Sequence, residues 1–248
     1  MMISDFTENQ KCPFMWFKQQ SLIIERNHVL IMNKQEIIDL TTPVETFMPV
    51  WPTAPLPEIK PVGIISRDGY NIETISSTTH TGTHIDAPYH FDEAGEKIDE
   101  IDLGTLIGPG YCIRVKSEGH EIGLEELENK WKDEYSGKIV LLNTGWSKKR
   151  SFSREFLYDF PGLSMDAAKF LYDKKTKVVG IDTLGMDPFE RTDFPVHRYL
   201  LARGVPFIED LCNLDALKEG TEYTIAALPL KLKGASGSLA RVVAISHS

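Results

Sequence analysis

The chain has 248 residues, enough for one large domain, and its 42% hydrophobic and 25% charged residues are typical of a folded globular protein. Acidic residues outnumber basic ones, 36 to 27, so the formal charge of -9 argues against nucleic acid or a membrane surface as a partner and favours a small-molecule substrate. The chain has no apolar run of the roughly 20 residues that cross a bilayer and no secretory signal pattern, so we expect a cytoplasmic protein. Cys12, Cys112 and Cys212 form no CxxC pair, so we expect unpaired, buried thiols.

Residues 1–33 show no clear hydrophobic period. A strand-like pattern begins only after Met32. We therefore divide the chain into an N-terminal extension, 1–33, and a single domain, 34–248. The extension is either an arm used in an oligomer or the result of a wrongly assigned upstream start codon.

Short runs of β-branched residues, bounded by Gly, Pro or Asp, predict eight strands. In chain order these are 36–40, 71–79, 111–116, 138–144, 177–182, 205–210, 223–228 and 240–246. Helices are predicted at 124–131, after Ser164 as an N-cap, and from Pro195 to just before Gly204. No repeat or low-complexity linker divides this region, so the sequence predicts one α/β domain with a mixed β-sheet core and a few flanking helices.

The segment 49–61 carries five prolines and Trp51. Because proline fixes φ and lacks an amide donor, this segment should be an extended loop or an edge strand. A rigid segment of this kind could hold Trp51 over a substrate pocket or expose it at an oligomer interface. Both interpretations stay open, and Trp51 is a candidate substrate-binding residue.

Three of the seven histidines fall within eleven positions, in the run HTGTHIDAPYH at 80–90. The side chains in this run that can bind a metal are His80, His84, Asp86 and His90. Gly82 and Pro88 oppose a regular helix, so an irregular backbone must bring these side chains together. Imidazoles with a carboxylate suit Zn²⁺ or Mn²⁺, and the lack of thiolates argues against a closed structural zinc site. Three protein ligands would leave a coordination position for water, and the neighbouring Tyr89 is a candidate for contact with substrate.

Other polar residues have simpler interpretations. We expect the isolated histidines to be hydrogen-bonded core or surface residues: His28, His120 and His247. Three carboxylates in predicted turns should face water: Asp182, Asp187 and Asp193. The basic run at 148–150 should be a solvated turn.

The run HTGTHIDAPYHF resembles the HxGTHxDxPxH signature of the metal-dependent cyclase-like hydrolases, which include bacterial kynurenine formamidases and isatin hydrolases. The resemblance covers nearly the whole chain from about residue 36. It includes VWP at 50–52, LNTGWS at 142–147, FPGLS at 160–164, VGIDTLGMDP at 179–188, HRYLLARGVPFIEDLCNL at 197–214 and ALPLKLKGASGS at 227–238.

By position, the resemblance implies roles for six side chains. His80, His84 and Asp86 match the primary metal ligands, with Asp86 bridging to a second ion where two are bound. His197 and Glu209 match the ligands of that second site, and His90 matches the acid-base residue. The resemblance further implies one or two zinc or manganese ions, a fold of the swivelling β/β/α type, and a homodimer or homotetramer.

The sequence departs from the family pattern at two places. Many relatives have Glu-Asn-Leu where this chain has Glu209-Asp210-Leu211, and a GxPxR pattern where this chain has residues 237–241, GSLAR. Neither departure falls on a matched ligand, so both bear on substrate identity.

Together these features predict a metal-dependent amidohydrolase of the arylformamidase type, in which activated water cleaves an amide C–N bond of a small carbonyl compound. Two alternatives remain. One is a hydrolase or cyclase that opens an isatin-type ring or a lactone, and the other is a metal-binding protein without catalysis.

Overall fold

The computed structural model describes residues 36–247. The proposed extension 1–33, with Cys12 and His28, lies outside the described residues. No helix in residues 36–247 is long and apolar enough to cross a membrane.

The described chain forms twelve strands and six α-helices, besides four short 3₁₀ turns. The strands are β1 (Ile37–Asp39), β2 (Glu58–Gly63), β3 (Ile72–Ser76), β4 (His84–Asp86), β5 (Ile107–Arg114), β6 (Glu121–Ile122), β7 (Ile139–Asn143), β8 (Gly162–Leu163), β9 (Val178–Ile181), β10 (Phe207–Glu209), β11 (Tyr223–Pro229) and β12 (Gly237–Ser246). The helices are α1 (Ile65–Asp68), α2 (Leu103–Leu106), α3 (Leu124–Lys130), α4 (Arg154–Tyr158), α5 (Met165–Asp173) and α6 (Pro195–Leu201). All eight predicted strands and all three predicted helices are present, with shifted ends.

Eight strands form one mixed sheet in the order β1-β12-β11-β5-β7-β9-β10-β4. Strand β4 also pairs with the first part of β12, so seven strands close into a barrel, and β1 pairs with the last part of β12. The pairs from β5 to β10 are parallel and the remaining pairs are antiparallel. This confirms the predicted single α/β domain with a mixed-sheet core.

Strands β7, β9 and β10 are buried on both faces of the sheet, and β7 shows how. Ile139 and Leu141 belong to one apolar cluster that draws on all seven barrel strands. Val140 and Leu142, which point the other way, belong to a second cluster shared with α3, α5 and α6. A strand that is covered on both faces has a continuous apolar sequence, and this run of residues predicts β7 from the sequence.

One segment agrees with its sequence-based description and another differs from it. Within residues 36–247, strand β3 pairs only with β2, in a separate two-stranded sheet, so the Pro-rich segment ends in an edge strand as expected. The ligand-rich run does not form one irregular loop. Its middle is a short strand, β4, followed by a 3₁₀ turn at Pro88–His90.

Candidate metal centre and its cavity

Three of the predicted ligand residues lie on paired strands of the barrel. His84 and Asp86 are two residues apart on β4, so their side chains leave the same face of the sheet. In the antiparallel pairing of β4 with β10, Glu209 stands directly opposite His84. The intervening Ile85 points into the apolar barrel cluster. Because side chains alternate in direction along a strand, these two short strands place an imidazole and two carboxylates on the outer face of the barrel.

His80 reaches the same point from the turn before β4. Its Nδ1 lies 2.6 Å from Asp86 Oδ1, and its Nε2 lies 2.9 Å from the Ser236 hydroxyl. The ring packs against the backbone of β12 at Gly237, where an added Cβ would stand 2.5 Å from His80 Cε1. Glycine at 237 is therefore required for the position of His80.

His197 enters from the first turn of α6, as the sequence predicted. Its Nδ1 lies 2.5 Å from Asp187 Oδ2, and the Asp187 carboxylate also accepts hydrogen bonds from the backbone N–H groups of Val196 and His197. A carboxylate can only accept, so Nδ1 carries a proton and Nε2 faces the site. That Nε2 lies 3.1 Å from Glu209 Oε1 and 3.6 Å from Asp86 Oδ2.

The side chains form two groups whose candidate ligand atoms lie within 4.8 Å of one another, and Asp86 belongs to both. The groups are His80, His84 and Asp86, and Asp86, His197 and Glu209. Asp86 Oδ2 is buried and has no hydrogen-bond partner among the described residues. A buried carboxylate oxygen without a partner is costly, and a cation would satisfy it.

Hydrogen bonds to the outer ring nitrogens orient the rings for metal binding. His84 Nδ1 lies 2.7 Å from the Gly82 carbonyl oxygen, so its Nε2 faces Asp86 and Glu209. A metal-binding histidine usually donates its other N–H to a carbonyl or carboxylate in this way. The donor set therefore fits one or two divalent ions, with nitrogen and oxygen ligands only.

The charges of the cluster shift the pKa of its members. Burial would lower the pKa of His84 and His197, but the nearby carboxylates outweigh burial and raise it, for His197 well above its usual value. In turn the histidines hold the pKa of Asp86 well below its usual value, although burial opposes them.

His90 differs from the other histidines of the cluster. Burial lowers its pKa to about 4, with repulsion from the other histidines in the same direction and attraction to Asp86 opposed. Its ring stacks on His80 with centroids 3.9 Å apart, and its Nε2 stays 3.9 Å from Asp86 Oδ2. At this pKa His90 is a neutral imidazole at pH 7, and it lies beside the candidate ligands.

A cavity of about 320 Å³ opens over the cluster. Its polar wall includes the five candidate ligands and His90, and its apolar wall includes Trp51, Phe91 and Phe194. The structure thus places Trp51 at the pocket, where its ring contacts Phe194 at a centroid distance of 5.8 Å. Tyr89 does not line this cavity, since it borders a neighbouring depression and lies under the Lys97 ammonium.

Several sequence-based expectations for polar residues were wrong. Asp182 and Asp187 are each 1% exposed and do not face water, whereas Asp193 is exposed as expected. In the basic run at 148–150 the two lysines are exposed, but Arg150 is largely buried and pairs with Asp210. His120 and His247 are hydrogen-bonded surface residues, as expected. Cys112 is buried and Cys212 is half-buried.

Asp187, which orients His197, was missed as a functional residue. Its sequence signal was weak, because ten residues separate it from His197 and only the fold brings α6 back onto it. Ser236, the partner of His80, is 156 positions away in the chain and has no local signal.

Comparisons with known proteins agree with this geometry. The model of a family described as putative cyclase matches residues 38–188. A kynurenine formamidase from Geobacillus thermodenitrificans (strain NG80-2) is 34% identical over 206 residues, which cover 82% of this chain and 94% of that protein.

Two solved structures share the fold. A predicted metal-dependent hydrolase from Bacillus stearothermophilus has a TM-score of 0.72 at 32% identity, covering 87% of this chain and 100% of that one. Isatin hydrolase A from Labrenzia aggregata, bound to benzyl benzoate, has a TM-score of 0.75 at 26% identity, and the match covers 86% of this chain and 94% of that one. These matches confirm the resemblance inferred from the sequence motifs: the chain belongs to the putative cyclase family.

Proposed function

We propose that the protein is a metal-dependent hydrolase that cleaves an amide-type C–N bond of a small carbonyl compound, with N-formylkynurenine as the model substrate. The observation that carries the proposal is the position of His90, a neutral imidazole in the wall of a cavity that also presents two metal-binding groups of side chains. The relatives named as kynurenine formamidase and isatin hydrolase support hydrolysis at a carbonyl carbon.

The five acidic and imidazole side chains divide into two ligand sets. His80, His84 and Asp86 would hold one ion, and Asp86, His197 and Glu209 would hold a second where two are bound. Nitrogen and carboxylate ligands without thiolate favour Zn²⁺ or Mn²⁺. When bound, such an ion supplies Lewis acidity, which lowers the pKa of water and polarises a carbonyl oxygen.

His90 moves the proton in this scheme. Its neutral ring accepts a proton from the attacking water, whose oxygen forms a bond to the carbonyl carbon. The imidazolium then returns the proton to the leaving nitrogen as the C–N bond breaks, so the products are a carboxylic acid and an amine. General acid-base catalysis of this kind contributes roughly 10²- to 10⁴-fold in rate.

The cavity wall indicates the kind of substrate. Trp51, Phe91 and Phe194 present aromatic faces opposite the polar cluster, and ring–ring contacts favour a flat or aromatic group. A cavity of about 320 Å³ is at the small end of ligand pockets, which suits a single-ring or two-ring compound.

The remaining features of the proposal rest on the sequence. The formal charge of -9 argues against binding to nucleic acid or to a membrane surface. We further propose a cytoplasmic homodimer or homotetramer, as the sequence resemblance implies.

The second candidate is the opening of an isatin-type ring or a lactone. The same site adds water to a carbonyl group in each case, and an isatin hydrolase is among the structures that share this fold. A metal-binding protein without catalysis is disfavoured, because a structural site has no use for the neutral His90 beside its ligands.

Turnover by the purified protein, loaded with Zn²⁺ or Mn²⁺, tests the proposal. N-formylkynurenine, isatin and a simple lactone are assayed with the wild type and with His90→Gln. We expect amide hydrolysis by the wild type and a loss of about 10²- to 10⁴-fold in His90→Gln with metal content unchanged. Absence of turnover on all three substrates with metal bound would overturn the proposal, and an unchanged rate in His90→Gln would remove His90 from it.

A further inference from the structure

Asp210 is a buried carboxylate directly after the candidate ligand Glu209. It is 2% exposed and adopts a left-handed backbone conformation with φ of 58°. Its carbonyl oxygen accepts hydrogen bonds from the hydroxyl groups of Thr42, at 2.8 Å, and Thr83, at 2.6 Å. Thr83 directly precedes His84, so the backbone at Asp210 links β10, β4 and the chain that leads to the Pro-rich segment.

Arg150 is the cation that pairs with this carboxylate. One terminal nitrogen donates to Asp210 Oδ1 and the other donates to the carbonyl oxygen of Pro49, at 3.1 Å. The guanidinium lies 5.1 Å from the ring centroid of Phe156. Since Asp210 Oδ2 has no hydrogen-bond partner among residues 36–247, Arg150 provides the charge that makes burial of Asp210 tolerable.

The Pro49 carbonyl stands two residues before Trp51, the aromatic wall of the cavity. Phe156, under the Arg150 guanidinium, belongs to an apolar cluster that Trp51 also packs against. The aromatic wall of the cavity is therefore joined through one guanidinium to the residue that follows Glu209.

We propose that Arg150 is a positioning residue that fixes the Trp51 segment relative to the metal centre and thereby sets the affinity for substrate. This rests on the proposed function, because it assigns Trp51 to substrate binding at the same site. The proposal also gives a physical reason for the departure from Glu-Asn-Leu at this site, since an aspartate at 210 binds a guanidinium by charge as well as by hydrogen bonding.

Two measurements on Arg150→Met test the proposal. The first is acrylamide quenching of Trp51 fluorescence, obtained as the difference between each protein and its Trp51→Phe counterpart. The second is the separation of KM from kcat for the best substrate, with metal content measured in parallel. Lys148→Met, an exposed cation of the same basic run, is the matched control.

We expect Arg150→Met to raise KM about tenfold, the size of one lost hydrogen bond, with kcat and metal content near those of the wild type. Quenching of Trp51 should increase, Arg150→Lys should give intermediate values because a lysine can still reach one of the two acceptors, and Lys148→Met should match the wild type. If Arg150→Met does not fold, the double variant Arg150→Met/Asp210→Asn removes both charges and should show the same KM and quenching effects.

Unchanged KM and unchanged Trp51 quenching would overturn the proposal, and so would a loss of kcat and metal with KM unchanged. The acrylamide quenching of Trp51 can be measured without any substrate turnover. If the wild type proves inactive, the proposed function fails while the role of Arg150 in holding Trp51 is still decided by quenching.

Discussion

Replacing Asp187 with Asn tests whether a buried carboxylate holds His197 in its metal-binding orientation. Asp187 accepts a backbone N–H at each of its two oxygens, from Val196 and His197, in addition to His197 Nδ1–H. In Asn, one oxygen becomes an NH₂ group, which cannot accept. Whichever way the amide turns, one N–H of the first turn of α6 loses its partner, at a cost of about 1–3 kcal/mol.

The substitution also affects the tautomer of His197. An NH₂ group turned toward the ring favours the proton on Nε2, the nitrogen that faces Glu209 and Asp86. Loss of such a partner to a ligating histidine lowers metal affinity by about 10- to 100-fold, which corresponds to about 1.4–2.7 kcal/mol. The expected result is a protein that still folds but binds metal more weakly.

Competition titration with a chelating dye measures the metal affinity, and urea unfolding measures the stability. Asp193→Asn makes the same chemical change on an exposed carboxylate six positions away and should leave both quantities unchanged. Wild-type metal affinity in Asp187→Asn would refute the orienting role of this carboxylate.

Three further predictions concern the site and the core. Gly237→Ala should lower metal affinity, because the new Cβ would stand 2.5 Å from His80 Cε1 and 2.7 Å from the Ile85 carbonyl oxygen of β4; dye competition measures the affinity, circular dichroism checks the fold, and wild-type affinity would contradict the prediction. Metal affinity should rise with pH, because carboxylates raise the pKa of His84 and His197 and a metal must displace their protons. Calorimetry in buffers of different ionisation enthalpy should detect proton release, and a constant affinity from about pH 6 to about pH 9 would argue against the ligand assignment. Leu141→Ala, in the barrel core, should lower the free energy of unfolding by about 2–5 kcal/mol, measured in urea. A loss below about 1 kcal/mol would mean that the core around Leu141 is less well packed than described.

The parts of the fold that could be predicted are those with a local signal. Strand β7 reads as an apolar run because both of its faces are covered, and α5 begins directly after its N-cap Ser164, whose hydroxyl accepts a hydrogen bond from the Ala167 amide. Strand β4 lacked such a signal, because it has three residues between a glycine turn and a proline. Its sheet partners β10 and β12 lie far away in the sequence and determine its conformation.

The candidate site shows the same division. The cluster of residue types at 80–90 was visible in the sequence, whereas His197 and Glu209 entered only through the family resemblance. Asp187 and Arg150 were expected to face water because turns and basic runs usually do. Their burial follows from long-range contacts with α6 and with Asp210, which composition and periodicity do not encode.

Anomalous scattering at the zinc and manganese absorption edges, from crystals of metal-loaded protein, tests the central claim most directly. The account predicts a peak about 2.0–2.2 Å from ring nitrogens of both His80 and His84 and from an Asp86 oxygen, and at full loading a second peak near His197 and Glu209. Ordered side chains at these positions with no peak among them, while the protein binds metal elsewhere, would contradict it.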